Sequence, residues 1–265
     1  MDDSTPNNQS RPGGASSRRS GRAADKRPVV EPKLFGDRPI PLSPEQIVAA
    51  NRVHAKLVQH IEGLRAMNAL AARFPEFDAS SVLLKILTIN ALHGPNVMNR
   101  QRVSDHIQKV LVSGDAQQYG PELVEKLAAV PPGPRESSER RQYSFASKFA
   151  HFFLDPDRFP LMDNTTARMV RYHLGPRSYI PDPGGRRYVE FASNFLRLRG
   201  QAGYKGRKRE LSRYLWIAGQ YQTWLKSPKA RITSELKSLF ESPPAELAED
   251  IQSLLIEADV GTPWL

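Results

Sequence analysis

The stretch that most limits what this chain can fold into runs from Tyr143 to Leu174, YSFASKFAHFFLDPDRFPLMDNTTARMVRYHL. Phe145, Phe149 and Phe152 fall at i, i+4 and i+7, the spacing of one apolar helix face. An Asp-Pro-Asp turn and an extended Phe159-Pro160-Leu161-Met162 segment follow, and Asp163 stands where a second helix would begin. The pattern predicts helix, short turn, helix. Lys148 shares the aromatic face of the first helix. Burial disfavours an ammonium and lowers its pKa, which is one way to make an amine nucleophilic. Lys148 in an apolar wall and Asp163 at a nearby helix start are therefore candidates for a single active site. Each also has a plainer reading: the lysine can snorkel to water, and the aspartate can be an ordinary N-cap.

The rest of the chain carries the same helical signals. Ser43-Pro44-Glu45-Gln46 supplies an N-cap, a proline at the first helical position and a capping-box partner. It predicts a long helix to about Ala72, ended by Pro75. The segment SVLLKILTINALH, a helix expected from roughly Ser80 to Leu92, is apolar on most sides and is expected at the centre of the fold. It stops at His93-Gly94-Pro95-Asn96. Further helices are expected near 100–111, 121–130, 187–198, 207–225, 233–240 and 244–258. There is no strand series and no internal repeat, so the class is all-α. Residues 1–40 are rich in Ser, Gly, Pro, Asn and Arg and predict a disordered basic tail. Residues 41–265 are then the helical domain.

The net charge of +10 and pI near 9.9 call for an anionic partner, nucleic acid before a membrane surface. Between Arg168 and Arg213 there are twelve basic residues and three acidic ones, so this block holds most of the excess. Gly203 to Gly206 leads into a predicted helix, whose first N–H groups would suit phosphate. Arg168, Arg171, Lys205, Arg207, Lys208, Arg209 and Arg213 are the candidate DNA-binding residues; a solvated face is the alternative. The absence of cysteine excludes disulfides, thiolate zinc sites and iron–sulfur clusters, and no metal or cofactor is expected. No apolar run approaches the ~18 residues of a membrane span, and Arg18-Arg19 lack a following hydrophobic region. The expectation is a cytoplasmic monomer without membrane attachment.

The segment SKFAHFFLDPDRFPLMDNTTARMVRYHLG resembles the helix-hairpin-helix (HhH-GPD) DNA glycosylases. That family carries a lysine helix, an apolar segment ending in an aspartate, and a helix ending in Leu-Gly. Lys148, Leu161-Met162-Asp163 and Leu174-Gly175 stand at those positions. A second stretch, LLKILTINALHGPNVMNRQRVSDHI, is similar to the family's early helix, sharp turn and following helix. Tyr143-Ser144-Phe145-Ala146-Ser147 stands where the family's glycine hairpin would be, which places the likeness in a degenerate-hairpin branch. That branch is similar to archaeal 8-oxoguanine glycosylases and to bacterial phage-defence glycosylases. The two stretches cover about a third of the chain.

The resemblance implies two lobes with an active site between them, and a monomer acting on double-stranded DNA that contains a modified base. It implies excision of that base, either glucosylated hydroxymethylcytosine or 8-oxoguanine, leaving an abasic site. Asp163 would stabilise positive charge on the sugar, and Lys148 would attack the anomeric carbon or orient the base. Asn96 would be a wedge filling the flipped base's gap, with His93 beside it; His151 and Phe149 would belong to the base pocket. A non-catalytic DNA-binding protein of similar fold, or a helical adaptor for an acidic partner, are the alternatives.

Overall fold

A computed structural model describes residues 39–94, 97, 99–112, 120–133 and 141–255. These residues form eleven α-helices and no strand. The described residues belong to one compact unit; residues 1–38, nearly all of the expected basic tail, lie outside the described residues.

The helix start at Ser43 follows its sequence signal. Ser43 Oγ accepts from Gln46 N–H, and the Gln46 side chain accepts from Ser43 N–H at 3.0 Å, closing both halves of a capping box. The expected long helix, however, is two: α1 (Pro44–His54) and α2 (Val58–Arg73). The break serves packing. α1 lies against α9 (Lys208–Lys226) and α11 (Ala245–Ser253), whereas α2 lies against α3 (Ala79–His93) and α6 (Tyr143–Phe153). Leu57, at the break, is fully buried. The second helix has no local cap. Instead Glu235, on α10 (Ser234–Glu241), accepts from Gln59 N–H at 2.9 Å and His60 N–H at 3.1 Å, where a carboxylate also complements the helix dipole.

α3 begins at an Asp78 cap and ends at Gly94, whose φ of 53° is the left-handed conformation that glycine adopts without a Cβ penalty. Its central placement needs correcting. Val82, Lys85, Ile86 and Ile89 are buried, but Leu84, Leu87 and Leu92 are exposed. The lysine explains part of the difference. Lys85 takes a core position and donates to Glu76 O at 2.6 Å and Ser81 Oγ at 2.7 Å, with Phe77 beneath it at 4.3 Å.

α4 (Arg100–Val112) packs on α3, and α5 (Glu122–Ala128) on α6. α8 (Arg187–Gln201) covers α5, α6 and α7 (Asn164–Leu174). Thus α2 to α6 and α8 form one packing group, and α1, α7, α9, α10 and α11 another. Gly219 sets the spacing of α7 and α9: a methyl there would overlap Thr165 Cγ2 and sit 2.9 Å from Met169 Cγ.

Candidate active site

A cavity of about 420 Å³ opens where the two helix groups meet, within the size range of small-molecule pockets. Its walls come from His54 on α1, from His60, Leu64 and Asn68 on α2, and from Leu92 and His93 at the end of α3. Lys148, His151 and Phe152 on α6 face Arg209, Ser212, Arg213 and Trp216 on α9. Asp163 and Thr166, at the start of α7, are the remaining polar wall nearest Lys148's helix.

The pairing of Lys148 with Asp163 rests on how the linker between α6 and α7 is fixed. Ser147, fully buried beside Lys148, donates to Met162 O at 2.9 Å and accepts from Met162 N–H at 3.1 Å. One turn on, His151 Nδ1 donates to Phe159 O at 2.8 Å, and Tyr188 from α8 donates to Pro160 O at 2.9 Å. The extended segment is pinned at three successive backbone sites, and Asp163 is delivered to the cavity as the next residue. Its Oδ1 accepts from Thr166 N–H at 2.9 Å, while Thr166 Oγ1 accepts from Asp163 N–H at 2.9 Å. Asp163 is thus an N-cap with a carboxylate on the cavity: the plain reading and the chemical one are compatible. Among the described residues no hydrogen bond engages its Oδ2.

Lys148 Nζ donates to His93 O at 3.4 Å. Burial lowers its pKa, and the Asp163 charge partly offsets this. Lys85, the more buried lysine, is held by two close acceptors away from the cavity; Lys148 is the one presented to a ligand.

The aromatic walls are stacked pairs. His60 lies on Trp216 with centroids 4.8 Å apart, and His93 lies on Phe152 at 4.8 Å. His54 meets the edge of His60 at 5.1 Å. Burial drives the imidazole pKa values down, to about 3 for His54 and His93 and about 4 for His151, and lowers His60 as well. Near neutral pH the cavity is lined by neutral rings, which can donate, accept and stack.

The other sequence candidates divide. His93, His151, Arg209 and Arg213 reach the cavity with Lys148 and Asp163. Phe149 does not; it is fully buried against Phe77, Phe145 and Phe153, and Phe152 takes the wall position instead. The aromatic stripe wraps far enough around α6 for one ring to face the core and the next the cavity. Asn96 lies outside the described residues. Arg168 donates to Gly219 O and Thr223 Oγ1 and ties α7 to α9. Arg171 is exposed, 3.6 Å from Glu190 and over the Tyr179 ring. Lys205 and Arg207 are exposed and Lys208 half-buried at the start of α9. At the expected phosphate cradle two of the backbone N–H groups already have carboxylate acceptors. Arg207 N–H donates to Glu210 at 2.7 Å, and Arg209 N–H and guanidinium both donate to Asp157. Ser147, Ser212, His54 and His60 are not legible as site residues, and Trp216, among Leu211, Leu215 and Ile217, reads as core rather than as a base-stacking group. The one available signal was the i, i+4 pair of Ser147 and His151 on an otherwise apolar helix.

Fold and site together define an all-helical protein with a lysine, an aspartate and stacked aromatic walls around one cavity. The family model HI_0787_N, described as an N-terminal domain, matches residues 50–158. That span is under half of the chain; it includes Lys148 and the histidine walls and stops before Asp163 and α9. No curated protein and no solved structure matches the chain. Among the described residues no helix is long and apolar enough to cross a membrane, and no group of three or more His, Asp or Glu side chains is arranged to hold a metal.

Proposed function

We propose that this protein is a DNA glycosylase that turns a modified base out of duplex DNA and cleaves its N-glycosidic bond, leaving an abasic site. The observation that carries the reading is the convergence of Lys148 and Asp163 on one cavity between stacked aromatic pairs. A flipped base needs flat walls and polar edges to read, and the neutral imidazoles supply both. Bond cleavage sends the bonding electron pair to the departing base and leaves positive charge at the anomeric carbon. The Asp163 carboxylate stabilises that charge. Water then adds to the carbon, or the Lys148 amine does so, forming a covalent imine after ring opening. Exposed Lys205 and Arg207 extend a basic surface toward the DNA backbone.

The test is Asp163→Asn on a panel of duplexes carrying 8-oxoguanine, uracil, alkylated bases and plain or glucosylated hydroxymethylcytosine, with released bases read by mass spectrometry. The wild type releases at least one base; the variant releases none and binds DNA within a few-fold of wild type. Full release by the variant overturns the role of Asp163. A wild type that binds modified and plain duplex alike and releases nothing is a DNA-binding protein without the chemistry. Borohydride trapping of a DNA adduct, lost in Lys148→Gln, separates amine attack from simple hydrolysis.

A further inference from the structure

The cavity wall holds one cation, Arg213, that makes no ion pair with a carboxylate among the described residues, although Glu210 and Asp157 lie near enough to act on its charge. Among its lining residues the only carboxylate is Asp163, which lies close to Lys148. Arg209 is paired with Asp157 at 2.5 Å. Arg213, half-buried in the same wall, has no carboxylate partner among the described residues. Its one hydrogen bond to a side chain is to the amide oxygen of Asn51, at 3.3 Å. A partly desolvated guanidinium usually gains a bidentate acidic partner, and leaving it without one is costly.

Two neighbours are unsatisfied as well. Ser212, 1% exposed, has a hydroxyl with no hydrogen-bond partner. His54, 5% exposed, has an Nε2 with none. Both line the cavity, and His54 is near enough to Arg213 to feel its charge. Buried polar atoms are rarely left unpaired, and those that are point to a missing ligand or water. Here a cation, a hydroxyl and an imidazole, each able to donate, line one cavity, and no acceptor engages the hydroxyl or the imidazole Nε2.

We propose that Arg213, Ser212 and His54 form a phosphate subsite, which holds the phosphate of the nucleotide whose base enters the cavity. The assignment rests on the glycosylase reading for the base, but its chemistry is separate: three donors from α9 and α1 bind non-bridging oxygens. The subsite fixes the sugar between the phosphate and the stacked rings, so remote binding energy orients the reacting carbon toward Asp163. The phosphate can belong to a DNA backbone or to a free nucleotide.

Trp216, stacked on His60 in the cavity wall, gives a fluorescence signal for the test. Deoxynucleoside 5′-monophosphates and the matching deoxynucleosides are titrated into the full chain at low salt. The monophosphates should bind at least about tenfold more tightly, the size of one charge-assisted contact. Arg213→Gln should remove that preference and leave nucleoside affinity within about twofold; Arg213→Lys, which keeps the charge, should retain part of it. Equal affinities in the wild type, a preference that Arg213→Gln keeps, or no binding of either ligand overturns the proposal. A duplex with a tetrahydrofuran abasic analogue and single methylphosphonate replacements beside it separates the two phosphate sources. Loss of Arg213-dependent affinity at one position assigns a backbone phosphate; insensitivity at every position assigns a free nucleotide. Base release is scored on the same preparations. A phosphate preference without base release keeps the subsite and removes the glycosylase reading, and base release without a phosphate preference does the reverse.

Discussion

Lowering the pH from 7.5 to 5 forces a choice on histidines that this fold holds neutral. His54, His151 and His173 are all buried, and burial depresses their pKa values to about 3, 4 and 4. In the unfolded chain each returns to about 6.5. Between those limits the unfolded state binds more protons, so stability is present above pH 6.5 and is lost as the pH falls toward 4. At pH 5 each of the three costs about 2 kcal/mol, about 6 kcal/mol together. His60 and His93, also lowered, act in the same direction. Carboxylates add little in this window: Asp182, held near 2 by Arg186, stays ionised throughout. Total stabilities are ~5–15 kcal/mol, so much of the native margin should go. Urea unfolding followed by helical circular dichroism measures this; with a slope of about 2.5 kcal/mol/M, the midpoint should fall by roughly 2 M. His54→Phe should recover about 2 kcal/mol of the pH dependence, whatever it does to stability at pH 7.5. A midpoint at pH 5 within a few tenths molar of that at pH 7.5 would show that these rings are not neutral in the fold.

Three substitutions probe how the cavity is held. Ser147→Ala strands the Met162 N–H and carbonyl, and should cost about 1–3 kcal/mol in denaturant unfolding. By loosening Asp163 it should also slow base release by about tenfold or more at unchanged DNA affinity; an unchanged rate at lowered stability would confine Ser147 to the scaffold. Gly219→Ala pushes a methyl into Thr165 and Met169 and should cost about 1–3 kcal/mol by overpacking, read as a drop in thermal midpoint. Glu235→Ala removes the cap of α2 and should cost about 0.5–2 kcal/mol; amide exchange at Gln59 and His60 should quicken more than exchange in α3.

Helices with local start and stop signals were legible to within a few residues. Ser43 with Gln46, Asp163 with Thr166, and Gly94 each place their information next to the boundary they set. What escaped was set from a distance. The break at Leu57 has no Gly or Pro to announce it, and the cap that restarts the chain comes from Glu235, on the far side of the sequence. Lys85 reads as part of an apolar helix because one of its acceptors, Glu76 O, reaches it only when the preceding loop folds back; the other, Ser81 Oγ, lies one turn earlier on the same helix. In the site, Lys148 and Asp163 stood out because a charge in an aromatic run and a cap before a helix are local anomalies. The α9 wall did not. Arg209 and Arg213 looked alike within a basic block, and only their carboxylate partners, or the lack of one, separate them.

The Glu235 cap also bears on the order in which this molecule can be completed. Synthesis delivers α2 early and Glu235 some 176 positions later. A single α2-length helix is marginal in water without tertiary support, and this one buries only Met67 among its own residues. His60 and its neighbours therefore gain their final footing only after α10 has emerged and docked. It follows that from the emergence of α6 until that of α10 a nascent chain carries the lysine helix while the α2 wall is unset, so the cavity is finished late in folding. Chains with such distant closing contacts fold slowly for their size. A pocket of this kind cannot close around any ligand until the chain is nearly whole.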